Sequence, residues 1–239
     1  MQYYDLMSEG RRQSRQDKQI IQELVSDISH QVKTPMANLQ MFMGILQSYD
    51  LSAGKRREFM DTMSGQINKL DFLLQSLIKM SRLETGTFAL HIERTSLYDT
   101  IAQALNAIWA RAEVKQIQLS VECDNSITAR HDARWTAEAL GNVLDNAVKY
   151  TPAGGSIRIS VRPWQFYTRV DITDTGMGIP EEQCNQVFKR FWRSEAAAAQ
   201  EGVGLGLYLA QEIVTRQRGY ISVKSVAGEG TTFSVYLLT

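Results

Sequence analysis

One histidine and a small set of amides, glycines and cations hold most of the chemistry this sequence can do. His30 lies in the run Val25-Ser26-Asp27-Ile28-Ser29-His30-Gln31-Val32-Lys33-Thr34-Pro35-Met36. Val25, Ile28, Val32 and Met36 recur at spacings of three and four, the period of one helix face. His30 falls one place beyond that stripe, so its imidazole should face solvent. Pro35 removes one backbone donor and bends the axis just past it. A second set is Asn142, Asn146 and Lys149, four and three apart on one helical face. Two carboxamides and an ammonium side by side make a poor core but a good triphosphate and magnesium site, because an amide oxygen is a hard ligand. Gly202-Val203-Gly204-Leu205-Gly206-Leu207 opens a helix, where free amides and the positive end of the dipole can hold phosphate. Asp174-Thr175-Gly176-Met177-Gly178-Ile179 follows directly on a strand. Either glycine run alone fits many turns.

The elements that position these groups fall into two halves. From Ile20 the apolar positions Ile21, Leu24, Ile28, Val32, Leu39, Met43 and Leu46 mark one helix. Asp50-Leu51-Ser52-Ala53-Gly54 reads as a turn. A second helix carries Phe59, Met63, Ile67, Leu70, Leu74 and Leu77, the 3.5-residue seam of a bundle. Two helices of about 30 residues would each be roughly 45 Å long. Packed antiparallel as a hairpin, they leave half their stripe wet, which a dimeric four-helix bundle would cover. Met36, Met41, Met43, Met60, Met63 and Met80 are read as core filler. Residues 1–18 are polar and basic, a solvated helix leading into the His30 helix. Gly86 is a candidate C-cap, and the boundary falls there, giving domains 1–86 and 87–239.

Beyond it the period changes. Phe88–Glu93 alternates like a strand, and Ser96 can cap a helix reaching about Glu113. Strands are expected at 118–122 and 127–131, then a helix from Asp132 to Tyr150, and strands at 156–162 and 166–173. A helix at about 205–217 and strands at 220–225 and 232–238 complete the chain. His91 and His131 fall in expected strands and are read as structural. Helices layered on one face of a mixed sheet follow from this order, an α+β class.

Composition narrows the function classes. The chain has 239 residues, 44% hydrophobic and 22% charged, with zero formal net charge. Nothing in that balance argues for a nucleic-acid or membrane-surface footprint. Cys123 and Cys184 lack a partner motif and read as buried free thiols of a reducing compartment. No apolar run approaches the roughly 18 residues of a membrane span. The polypeptide reads as cytoplasmic in character, and its abrupt polar start as part of something longer.

Ser-His-Gln-Val-Lys-Thr-Pro resembles the phosphoacceptor box of sensor histidine kinases, usually Ser-His-Glu-Leu-Arg-Thr-Pro. Glu138–Tyr150 resembles the N box of the same family, 174–179 its first glycine box, and Val187-Phe188-Lys189-Arg190-Phe191-Trp192-Arg193 its F box. Residues 202–207 resemble the second glycine box, and Gly228-Glu229-Gly230-Thr231-Thr232-Phe233 the closing hairpin. All stand in the family's order. The resemblance implies an ATP-binding α/β sandwich of the gyrase, heat-shock-chaperone and histidine-kinase type after the hairpin. It implies ATP and Mg²⁺ as cofactors, with Asn146 the metal ligand and Asn142 supporting metal and phosphates. Lys149, Tyr150, Arg193, Gly202, Val203, Gly204, Leu205 and Gly206 would surround the phosphates, and Asp174, Gly176, Gly178 and Thr232 the adenine. His30, Gln31 and Thr34 would act in phosphotransfer together with Asn142 and Lys149. Phe188 and Phe191 are equally read as lid anchors or core. Residues 194–200 would form the lid, its four alanines an engineered replacement or a natural helical turn.

The implied activity is autophosphorylation of His30 and transfer to an aspartate of a response-regulator receiver domain. The implied state is a homodimer formed through the hairpin, with no nucleic-acid partner and any membrane link through a segment absent from the chain. A phosphatase using Thr34 and Gln31 to position water, and a nucleotide-binding dimer that signals without phosphotransfer, are the rival readings. Gln31 departs from the family, which usually has an acid there.

Overall fold

The computed structural model of the chain describes residues 2–84, 90–197, 200 and 202–239. It forms two compact units, one reaching to Leu74 and one spanning Gln75–Thr239.

The first unit is a helical hairpin. Helix α1 runs Gln2–Ser48 and contains Pro35; α2 runs Ala53–Glu84. Ser52 caps α2, its Oγ accepting from the Lys55 amide at 3.4 Å. Phe42 and Phe59, equally far from the connection, bring their ring centroids to 5.3 Å, so the helices run antiparallel. Met36, Met41, Met43, Met60, Ile67 and Leu74 remain exposed, Ile67 at 56%. The apolar seam is thus only partly used within one chain.

In the second unit the end of α2 comes first, with Ser76, Met80 and Leu83 buried. Next in order are β1 (Glu93–Ser96), α3 (Leu97–Asn106), α4 (Trp109–Val114), β2 (Gln118–Glu122), β3 (Thr128–His131) and α5 (Ala133–Tyr150). Then come β4 (Ser156–Pro163), β5 (Tyr167–Asp174), α6 (Glu181–Cys184), α7 (Gly206–Arg216), β6 (Tyr220–Val226) and β7 (Gly230–Leu238). The seven strands form one mixed sheet in the order β1-β3-β7-β5-β4-β2, with β6 also on β7. Only β2 and β4 pair in parallel. Alternation puts Ile157, Ile159, Val170, Ile172, Val235 and Leu237 on one face, buried under the helices α3, α5 and α7.

Three local expectations change. The first strand starts at Glu93, leaving His91 exposed ahead of it, while Gly86, Phe88 and Ala89 lie outside the described residues. The helix expected from Ser96 to Glu113 breaks at Ala107–Ile108 into α3 and α4. Its apolar stripe (Leu97, Ile101, Ala104, Ile108, Ala112) runs on unbroken, so periodicity does not mark the break. Cys123 and Cys184 are free but half-buried, and burial pushes both thiols up.

Buried polar groups lock the helices in place. Ser96 caps α3, accepting from the Asp99 amide, and Asp132 caps α5 through the Trp135 amide. Gln217 at the end of α7 is 1% exposed. Its Oε1 accepts from the Asp132 amide at 2.6 Å, and its Nε2 donates to the Ile213 carbonyl at 3.2 Å. The N-terminus of α5 is thereby fixed to the C-terminus of α7, so the opposite ends of these helices meet elsewhere in the unit.

His131 is wholly buried between sheet and α3. Nδ1 donates to the Ala129 carbonyl at 3.0 Å, since a carbonyl can only accept, and Nε2 lies 2.9 Å from Thr100 Oγ1, which also reaches the Ser96 carbonyl at 3.0 Å. Burial pushes the ring below the ordinary histidine value, against smaller upward effects of Ala129 and Asp132. The unfolded chain takes up this proton below about pH 6.5, while the folded chain resists it to lower pH. Stability should therefore fall as pH drops through about 6.5, by up to roughly 1.4 kcal/mol per pH unit. Denaturant unfolding of the parent and a His131→Gln variant across that window checks this; identical slopes would refute it.

Candidate functional site

Both asparagines on α5 turn their amide nitrogens back onto the helix. Asn142 Nδ2 donates to the Glu138 carbonyl at 3.0 Å, and Asn146 Nδ2 to the Asn142 carbonyl at 2.9 Å. Each Oδ1 is left as an acceptor for a ligand. That donor set fits a hard cation such as magnesium, which takes amide and phosphate oxygens. Among the described residues no three acidic, histidine or cysteine side chains converge on a metal position.

The second glycine run faces this side of α5. A Cβ built on Gly206 would lie 3.1 Å from Asn142 Oδ1, and one on Gly202 would lie 2.6 Å from Lys149 Nζ. Gly204 has φ +79°, and a Cβ there would meet the backbone of Phe191 and Trp192 at 2.7 Å. Only glycine allows both that conformation and that approach. The Phe191 amide donates to the Gly204 carbonyl at 2.9 Å, joining the segment 187–193 to the loop. No side chain caps α7, whose first amides point into the same region.

The C-terminal turn of α5 is held from outside by a residue that the motifs did not single out. Lys115, just past α4, donates to the carbonyls of Val148, Lys149 and Thr151 at 2.8, 2.8 and 3.1 Å. An ammonium on the orphan carbonyls of a helix end suits their partial negative charge. It fixes the turn that carries Lys149 and Tyr150. Arg111 on α4 pairs with Asp145 on the outer side of α5. Lys149 Nζ stands 4.8 Å from the centre of the Tyr150 ring. Burial pushes the Tyr150 hydroxyl up, the Arg193 charge pulls it down, and Asp145 pushes it up. Arg193 also donates to the Gln200 carbonyl.

At the far end of β5, Asp174 is buried, with Oδ1 accepting from the Gly176 amide at 2.8 Å. Burial raises its carboxyl, against the lowering effect of amides from Gly176 and Thr231. A Cβ on Gly176 would lie 2.8 Å from the Tyr150 carbonyl, and one on Gly178, at φ +67°, would run into the Val226 carbonyl. The first glycine run is thus pressed between the end of α5 and the β6–β7 hairpin.

Register separates Thr232, expected beside the adenine, from Asp174. Asp174 pairs with Thr231, whereas Thr232 pairs with Thr173, their hydroxyls 3.0 Å apart. Successive strand residues face opposite ways, so Thr232 lies on the face away from Asp174. Thr231, buried and bonded through its hydroxyl to Ser225 at 2.9 Å, is the threonine beside the carboxylate.

Among the expected residues, Asn142, Lys149, Tyr150, Gly176, Gly202, Gly204 and Gly206 come together around the C-terminal half of α5. Val203 and Leu205 are buried and anchor the loop. Phe188, half-buried, packs edge-on against Phe233 of β7 at 6.1 Å, and Arg190 donates to Tyr208 of α7 at 2.8 Å. Glu195–Ala197 make one 3-10 turn; Ala198 and Ala199 lie outside the described residues. In the hairpin unit, His30 and Thr34 are exposed and Gln31 is half-buried. Ser29 Oγ donates to the Val25 carbonyl at 2.7 Å and Thr34 Oγ1 to the His30 carbonyl at 3.4 Å.

Comparison with known proteins meets this geometry. A family model described as "His Kinase A (phospho-acceptor) domain" matches residues 20–86. One described as "Histidine kinase-, DNA gyrase B-, and HSP90-like ATPase" matches residues 131–239. Drug sensory protein A of Synechocystis sp. is 31% identical over 225 residues, covering 88% of this chain and 34% of that protein. Adaptive-response sensory kinase SasA of Synechococcus sp. is 29% identical over 233 residues, covering 95% of this chain and 62% of that protein. The chain thus spans between a third and under two-thirds of these relatives. The crystal structure of histidine kinase ThkA in complex with response regulator protein TrrA shares the fold, with TM-score 0.77 at 18% identity over 94% of this chain and 63% of that one. Among the described residues no helix is long and apolar enough to cross a membrane.

Proposed function

Because the chain belongs to the sensor histidine kinases, we propose that it uses ATP to phosphorylate His30 and passes the phosphoryl group to an aspartate of a response-regulator receiver domain. The observation that carries this reading is the convergence of Asn142, Lys149 and Gly202–Gly206 beside two free amide oxygens, in a chain that also exposes a helical histidine. Asp174 accepts a bond from the adenine amino group, with Thr231 beside it. Lys149, Arg193 and the amides opening α7 meet the triphosphate. Asn146 Oδ1, supported by Asn142 Oδ1, would hold Mg²⁺, which when bound would supply charge neutralisation to the phosphates. A ring nitrogen of His30 attacks the γ-phosphorus in line, the bond to the β-phosphate oxygen breaks, and ADP leaves. Catalysis is placement plus charge neutralisation.

The exposed methionines, Ile67 and Leu74 of the hairpin support a homodimer that covers them in a four-helix bundle. ThkA is described in complex with a response regulator, which supports the same class of partner here. Incubation with γ-labelled ATP tests the reading: label that is acid-labile and alkali-stable is expected. ATP binding without such label would favour a nucleotide-set conformational switch instead.

Gln31 makes a further expected outcome specific to this chain. An acid at that place would orient the imidazole and stabilise its positive charge, as an aspartate does for a catalytic histidine. A carboxamide can orient but carries no charge. Proton-transfer assistance is worth about 10²–10⁴-fold. Since Gln31 still orients the ring, Gln31→Glu should speed initial labelling at saturating Mg-ATP by roughly 10²-fold, the low end of that range, and Asp27→Asn, one turn earlier, should slow it. A Gln31→Glu chain with unchanged fold and ATP affinity that labels no faster would show that no acid is needed there.

A further inference from the structure

The sheet face turned away from α3, α5 and α7 is covered by no described element of the second unit, and its side chains form a cationic aromatic plate. Register assembles it from residues scattered along the chain. Arg94 of β1 stands directly opposite Arg130 of β3, and Arg130 opposite Leu238 of β7. Leu238 faces Tyr167 of β5. One step along, Arg162 of β4 faces Arg169 of β5, Arg169 faces Tyr236, and Tyr236 faces Tyr220 of β6. Two steps further, Arg158 and Lys224 end the row that holds Thr173 and Thr232.

Two arginine pairs therefore sit in direct cross-strand opposition in a chain whose formal net charge is zero. Like charges so placed weaken a sheet. The acids on the same face are Asp171 and Glu122. Asp171 is already committed, accepting from Arg169 Nε at 2.6 Å and from Ser234 Oγ at 2.5 Å. Arg158, Arg162 and Lys224 are exposed and make no ion pair with a described residue. Beside them Trp164 is 50% and Phe166 68% exposed.

We propose that this face docks an acidic segment of a partner protein. Planar guanidinium forks match carboxylates two bonds at a time. Arginine, tyrosine and tryptophan are also the residue types that dominate protein interface energetics. The rings are spent on one another: Tyr220 and Tyr236 stack at 4.1 Å and 10°, and Tyr167 sets its edge against both at 5.5 and 6.5 Å. Arg169 lies over Trp164 and Tyr236. The three tyrosine rings thus offer few open faces to unstacked bases, leaving Trp164 and Phe166 as the accessible rings, which favours a carboxylate-rich peptide over a single strand of nucleic acid. The plate is on the opposite side of the sheet from Asp174 and the glycine runs, so a partner here leaves the nucleotide site open.

Fluorescence anisotropy of a labelled polyglutamate peptide, titrated with the full chain at low ionic strength, tests this. Saturable binding is expected. Arg130→Glu and Arg162→Glu should each weaken it about tenfold, while Lys55→Glu, a charge reversal on α2, should not. Each reversal puts an acid opposite an arginine, so the thermal midpoint should hold or rise and ATP binding should stay unchanged. Charges serving the fold would instead lower the midpoint on reversal. Absence of polyglutamate binding, binding indifferent to the reversals, or stronger binding of oligothymidylate or phosphatidylserine vesicles would each overturn the proposal.

Discussion

A His30→Gln chain should incorporate no acid-labile phosphate from γ-labelled ATP, a fall of at least about 10³-fold, as expected when a reacting nucleophile is removed. The chain has three histidines, and their surroundings differ sharply. His131 is buried, with both ring nitrogens engaged by Ala129 and Thr100. It has no nitrogen to offer an incoming phosphorus. His91 is exposed ahead of β1, so exposure alone cannot separate it from His30. Helical context does: His30 sits on α1 beside Gln31 and Thr34. His91→Gln should accordingly label at the parental rate. The substitution at His30 lies on an exposed helix surface and should leave α1 and ATP binding intact. Label that survives in His30→Gln and disappears in His91→Gln would move the phosphoacceptor to the second unit.

Asn146→Asp should cut the same labelling rate by about 10²-fold or more while the fold survives. The reason lies in one bond. Asn146 Nδ2 donates to the Asn142 carbonyl, and this leaves Oδ1 aimed outward. A carboxylate cannot donate there, so it turns away from that carbonyl, and Asn142 loses a neighbour that helps hold its turn. It also adds a negative charge where a triphosphate must sit. Tighter metal binding by a carboxylate does not restore the lost placement, which supplies much of the rate in phosphoryl transfer. Asn146 is only half-buried, so folding should change little. Initial labelling rates and nucleotide affinity, measured on parent and variant with matched circular dichroism, decide the point. A variant that turns over Mg-ATP like the parent would remove Asn146 from the metal site.

What the sequence determined by itself was whatever depends on neighbours a few residues apart. The capping of α3 by Ser96 and of α5 by Asp132 each rests on a bond to a residue three places on. The common face of Asn142, Asn146 and Lys149 follows from helical period. The long apolar seams of α1 and α2 are legible for the same reason, as are the glycine runs. Chain order then made their assembly recognisable, because six motifs in one order are far more specific than any one of them.

Tertiary structure decided whatever depends on pairing across long stretches of chain. Lys115 caps α5 from more than thirty residues away, and a lone lysine after a helix carries no local mark of that role. Gln217 reaches Asp132 across eighty-five positions. Strand register chose Thr231 over Thr232 for the side of Asp174, and a slip of one residue would have reversed the choice. Register likewise set Arg94 against Arg130 and Arg162 against Arg169, turning scattered cations into one plate. The break between α3 and α4 left no trace in the apolar period. Local chemistry acts within a helical turn and can be read along the chain, whereas strand pairing and helix docking are settled by the burial of the whole sheet face, which no short window contains.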